Sequence, residues 1–86
     1  MISEPRPEFW MLYHKLPAEV RAVARKNYGL FMQDPRHPSL HFKLLKGYDD
    51  VWSVRVGQKH RAVGVKYGGV IQWFWIGSHN DFDKLF

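Results

Sequence analysis

There is no cysteine anywhere in the 86 residues, so neither disulfide staples nor thiolate metal centres are available to this chain. Acidic side chains are scarce as well. Eight Asp and Glu stand against 13 Lys and Arg, leaving a formal net charge of +5. Nor is there a long hydrophobic run. The most apolar stretch, Val70-Ile71-Gln72-Trp73-Phe74-Trp75-Ile76, falls far short of the roughly 20 residues that a membrane-spanning helix needs. The N-terminus lacks a basic segment followed by an apolar one, and repeats and low-complexity tracts are missing. A soluble, cytoplasmic protein with no membrane role is expected.

What the chain does have is aromatic bulk: 4 Trp, 6 Phe and 4 Tyr. One domain covering residues 1–86 is expected, and a domain of this size buries only roughly 60% of its unfolded surface. Large aromatics let such a short chain fill a core without staples. The basic balance favours polyanionic partners, whether RNA, DNA or an acidic protein segment, wherever the charges share one surface.

The spacing of apolar residues divides the chain in two. Pro5 and Pro7 suit the opening of a helix. Phe9, Leu12, Tyr13 and Leu16 then recur at helical spacing, which predicts a helix over residues 7–16. Pro17 closes it, and Val20, Val23, Ala24, Tyr28 and Phe31 form one stripe of a second helix ending near Gln33. Past the breaker Asp34-Pro35-Arg36-His37-Pro38-Ser39 the period changes to two. Strands are predicted over residues 40–45, 52–56, 61–67 and 70–76, the last two joined by Gly68-Gly69. The expected fold is α+β: a two-helix hairpin packed on one face of a four-stranded antiparallel sheet, its other face open. No strand is expected before Phe9.

Alternation then sorts the charges. With Leu40, Phe42, Leu44, Trp52, Val54 and Val56 facing the helices, His41, Lys43, Ser53 and Arg55 share the open face. Arg61 has the parity of Val63 and Val65, and simple alternation sends it to the core side unless a bulge or the turn re-aims it. One patch of Lys43, Lys46, Arg55 and Arg61 on the open face, with His79 at its edge, is expected. The last strand ends in Gly77-Ser78-His79, which puts an imidazole at the mouth of the sheet.

An imidazole beside fixed cations is what RNA cleavage by internal 2′-hydroxyl attack requires. His79 reads as the general acid or base, and Arg61 and Arg55 as stabilisers of the extra charge on a pentacoordinate phosphate. Lys43, Lys46 and His41 read as RNA-backbone contacts, one of them a possible base. Phe82 reads as a base-stacking residue, or else, with Phe86, as an anchor docking the tail onto the sheet. The plain alternatives are a turn-capping His79 bonded to Asp81 or Asp83, arginines ion-paired across strands with Asp49 or Asp50, and solvated strand-face charge for Lys43, Lys46 and His41. Trp52, Trp73, Phe74 and Trp75 are expected in the core. His37 and His60 are expected in solvated turns, and His14 is given no role. No metal or cofactor is called for, since His37 and His41 share no helix face and lack a neighbouring carboxylate.

In order along the chain stand Leu16-Pro17, Asp34-Pro35, Pro38-Ser39-Leu40, Lys46-Gly47 and Trp52-Ser53-Val54-Arg55-Val56. His60-Arg61-Ala62-Val63 and Ile76-Gly77-Ser78-His79 follow. This series resembles the RelE/ParE superfamily of bacterial type II toxins from about Phe9 onward. The resemblance implies a RelE-like, microbial-RNase-type fold and a partner antitoxin, acidic against this basic chain. It also implies one of two activities. RelE-like members cleave mRNA in the ribosomal A site as metal-independent endoribonucleases; ParE-like members poison DNA gyrase without catalysis. A degenerate module that binds only nucleic acid or antitoxin is a third possibility. In the nuclease branch an Arg opening the third strand and a His or Tyr near the C-terminus belong to the site, matching Arg61 and His79, with Lys43 and Lys46 matching more loosely. Two departures stand out: the strand that usually precedes the helices is missing from this reading, and His79 is followed by Asn80-Asp81-Phe82 with no second hydroxyl.

Overall fold

A computed structural model describes all of residues 1–86. Gly68, in the left-handed region at φ +58°, makes the turn between β4 (His60–Tyr67) and β5 (Val70–Ser78), which pair antiparallel. β3 (Val51–Val56) pairs antiparallel with β4, and the short β2 (Lys43–Leu44) with β3. On the other side of β5 lies β1 (Ile2–Pro5), running parallel to it, so the sheet order is β1-β5-β4-β3-β2.

β1 corrects the expectation of a four-stranded sheet with its first strand lost: the sheet has five strands. The backbone N–H groups of Ile2 and Arg6 donate to Gly69 and Trp73 carbonyls at 2.9 and 2.8 Å. Alternate residues therefore face β5, and Pro5, which has no N–H to give, faces away from it. An edge strand tolerates proline on that side. The indole N–H of Trp73 reaches the Ser3 hydroxyl at 2.8 Å, and the Arg6 guanidinium reaches Gln72 Oε1 at 2.6 Å. Polar side chains fasten this strand, so it carries no hydrophobic alternation to read.

The two expected helices form, as α1 (Pro7–His14) and α2 (Ala18–Gln33). Arg21 ties their junction by donating to the Leu16 carbonyl at 2.8 Å. α1 lies on β5 and α2 on β3. Between them runs an apolar groove of about 320 Å³, with Phe9, Trp10 and Tyr13 on one wall and Ala24, Tyr28 and Phe31 on the other. Its floor is the core itself, where Val54, Val56, Ala62 and Ile76 are buried. Arg25, at the rim, donates to the Tyr13 hydroxyl at 2.8 Å.

The strand expected over residues 40–45 shrinks to Lys43–Leu44. Pro38–Leu40 instead form a 3-10 turn, buried at Leu40, and His41 ends it in the left-handed region at φ +46°. Leu44, expected inside, is 51% exposed.

A bulge in β5 explains why that strand is apolar on both parities. Val63 pairs with Trp75 but Gly64 pairs with Trp73, so Phe74 is the extra residue. Trp73 therefore joins the helix-side core, over the bare Gly64, whose added Cβ would lie 2.8 Å from its ring. Trp75 turns to the opposite face. That face is not open, as expected, but covered by α3 (His79–Leu85) and the C-terminal Phe86. Phe86 stands edge-on to Trp75 at 5.5 Å, and Phe82 lies 6.3 Å from the same indole. Ser53 and Val63 are 2% and 0% exposed on this side of the sheet.

Candidate nucleic-acid site

Arg55 of β3 and Arg61 of β4 are directly opposite each other. The Lys66 N–H to Asp50 carbonyl bond makes Val51–Val65 a pair without mutual hydrogen bonds, and Arg55–Arg61, four residues on, is another. In such pairs the side chains sit at the closer of the two antiparallel spacings, with Cα atoms about 4.5 Å apart. Two like charges placed there destabilise the sheet. Asn27 of α2 donates to the outward carbonyl of Arg55 at 3.0 Å and so holds that edge of β3.

Arg61 does not point under the helices, as simple alternation predicted. The helix-facing residues of β4 are Ala62 and Gly64, so Val63 and Arg61 face α3 together with Arg55. The error lay in assigning Val63 and Val65 to the helix side. The Arg61 guanidinium is drawn back by the His60 carbonyl at 2.7 Å and that of Gln58 at 3.3 Å. Burial, followed by the charge of Arg55, lowers its pKa from the ordinary arginine value, while Asp83 acts in the opposite direction. It remains a cation at any physiological pH.

Across from Arg61 on β5 is Gly77. A Cβ there would lie 2.7 Å from the Trp75 ring, so the indole occupies the space beside Arg61 that a side chain would fill. Two residues on, His79 opens α3. Its N–H donates to the Lys59 carbonyl at 2.7 Å, and the Ser78 hydroxyl caps the helix by accepting from Asp81 N–H at 3.1 Å. The exposed imidazole of His79 places Nε2 3.5 Å from Asp83 Oδ1.

The fold thus brings Arg55, Arg61 and His79 to one end of the sheet, on one face. Lys43 pairs with Ser53 and shares that face, one strand over and two residues along. Lys46 lies in the turn after β2, outside this row, and His41 lies in the left-handed turn before it. The two are exposed but are not strand-face partners of the arginines. Phe82 is half-buried against Trp75 and Phe86 and parallel to the His79 ring at 6.3 Å; it anchors α3. His60, expected in a solvated turn, begins β4 half-buried on the helix side. Burial first, then Arg61 and Lys59, push its imidazole below the ordinary histidine value. His37 accepts from Ser39 N–H through Nδ1 at 3.3 Å.

Sequence reasoning offered Asp83, with Asp81, as a hydrogen-bonding neighbour of His79, and it missed Asn27 and the Trp75–Gly77 contact. The i, i+4 spacing of His79 and Asp83 was available in the sequence, but only a helix after Ser78 makes it meaningful.

A five-stranded sheet with a helical hairpin on one side is an α+β architecture, and comparison with known proteins matches it to RelE-like toxin folds. A family model for the ParE-like toxin domain matches residues 18–84, and the chain belongs to that family. Solved structures agree in fold. A chain of the RelB–RelE antitoxin–toxin complex from Methanococcus jannaschii superposes with a TM-score of 0.71 at 18% identity, covering 96% of this chain and 98% of that one. A YoeB/ParE toxin from Agrobacterium tumefaciens gives 0.69 at 19% identity, covering 92% and 99%. The Escherichia coli RelBE toxin–antitoxin complex gives 0.67 at 18%, covering 88% and 93%. No curated protein matches the sequence.

Proposed function

We propose that this protein is the toxin of a type II toxin–antitoxin pair and cleaves mRNA in the ribosomal A site. The Arg55–Arg61 pair carries this reading. Two guanidiniums on adjacent strands, with no carboxylate in a salt bridge to either, form a site that gains stability when an anion arrives. The phosphodiester supplies that anion, and its charge grows toward the transition state. The 2′-hydroxyl oxygen bonds to phosphorus, its proton passes to water, and the bond from phosphorus to the 5′-oxygen breaks. His79, protonated at the start, delivers its proton to the departing oxygen. The products are a 2′,3′-cyclic phosphate and a 5′-hydroxyl. Lys43 assists by binding the RNA backbone.

Primer extension on mRNA from translating ribosomes tests this reading. Cuts at codon-defined positions support it, and His79→Ala should slow single-turnover cleavage by roughly 10²–10⁴-fold, the loss expected for a general acid. Absence of cuts with the parent protein overturns it. The ParE-like family match favours the second reading, gyrase poisoning, and DNA breaks dependent on gyrase would select it.

The antitoxin of this pair is proposed to carry an acidic amphipathic segment that fills the groove between α1 and α2. Trp10 and Tyr28 are 44% and 41% exposed on its lips, with Arg25 beside them, which suits apolar knobs flanked by carboxylates.

A further inference from the structure

A single carboxylate bears on both parts of the proposed nuclease site. Asp83 lies one turn beyond His79 on α3, with Oδ1 3.5 Å from the imidazole Nε2. The same carboxylate acts on the Arg61 guanidinium, against the effect of Arg55. The backbone beneath this pair is held at several points. The His79 N–H is bonded to the Lys59 carbonyl, Ser78 caps the helix start, and Phe82 and Phe86 dock the helix on Trp75. Rotation of the His79 side chain is the freedom that remains, and Asp83 is the charged group that restrains it.

We infer that Asp83 is a positioning residue of this site: it holds His79 through Nε2, leaving Nδ1 to face the substrate phosphate between the imidazole and Arg61. The inference rests on the nuclease reading above. It transfers no atom of its own; the proton delivered to the 5′-oxygen is the one on Nδ1. A carboxylate beside a phosphate site has a distinctive consequence, because it repels the RNA that the arginines attract. Asp83 should therefore weaken binding while speeding the chemical step. A carboxylate that merely decorates the helix would weaken binding and do nothing else. One that supports the fold would strengthen binding and rate together.

The test compares wild type with Asp83→Ala and Asp83→Glu on translating ribosomes. Binding is read with mRNA carrying a 2′-deoxy nucleotide at the cut site, which cannot be cleaved. Asp83→Ala should bind roughly two- to fivefold more tightly, the range for losing one exposed charge contact. It should cleave roughly 10- to 100-fold more slowly in single turnover, as misplacement of a reacting group does. Asp83→Glu, which still reaches back one turn, should recover most of the rate. Carbon-13 relaxation of the His79 ring, measured on the free protein, should report a more mobile ring in Asp83→Ala and not in Asp83→Glu. An unchanged rate, or a slower rate with weaker binding, overturns the inference, as does a ring no more mobile in Asp83→Ala. If the wild type cuts nothing, the nuclease reading falls, and ring relaxation alone decides whether Asp83 holds His79.

Discussion

Arg55 is a residue whose charge costs the fold something. It faces Arg61 across a close pair and makes no side-chain hydrogen bond to the protein. Arg55→Gln should stabilise the protein by about 0.2–1 kcal/mol in chemical denaturation, the scale of a cross-strand pair, while lowering RNA cleavage. Unchanged cleavage with raised stability would mark the arginine pair as incidental to the reaction. His60 offers a second test, through pH. Its folded pKa lies below the ordinary histidine value, chiefly because of burial, so the unfolded chain takes up the proton first. The stability it contributes is whole above the unfolded pKa near 6.5 and is lost as pH falls through that value to the lower folded one. Thermal unfolding of wild type and His60→Gln across that window checks the sign. The variant should lose less stability on acidification.

At the scale of elements, Gly77 decides where α3 sits. Its bare Cα lets Trp75 lie beside Arg61, and Trp75 in turn receives Phe82 and Phe86. Gly77→Ala should cost about 1–3 kcal/mol of stability, the range for overpacking, and displace His79 from the arginines. Cleavage should then fall further than denaturant midpoints alone account for. The sequence was legible where one period dominated. The stripe on α2 and the alternation of β3 placed Phe31, Val54 and Val56 in the core, where they lie. It was not legible where contacts from afar overrule local pattern. β1 is fastened by Ser3 and Arg6 to residues about 70 positions away, and its proline reads locally as a breaker. The β5 bulge reverses parity in mid-strand, so no alternation rule could send Trp73 and Trp75 to opposite faces. The arginine row was expected from the resemblance and from Arg55's parity, whereas Arg61's direction followed only once Val63 was seen to face α3. Asp83 was legible as a neighbour of His79, but its place one helical turn along was not, because α3 was not foreseen.

For the whole molecule, the two faces of the sheet carry different chemistry. The helix side exposes an apolar groove with aromatic lips; the α3 side gathers cations around one histidine. Trp10→Glu places a carboxylate on the groove wall, where an acidic partner segment would meet it. It should weaken a complex with the proposed antitoxin by at least tenfold in calorimetry and leave ribosome-dependent cleavage by the free toxin within about twofold. Equal affinity would remove the groove from the interface.

The parallel pairing of β1 has a consequence for anyone who shortens this chain. Removing residues through Pro5 strips a cover from the hydrogen-bonding edge of Val70–Trp73, the most apolar strand in the protein. An uncovered edge of that composition recruits strands from neighbouring molecules. Such a truncation should yield concentration-dependent fibrous or amorphous aggregates in light scattering, and a clear solution would show that β1 is dispensable as a guard. The few polar letters at the start of the chain act as a barrier to polymerisation.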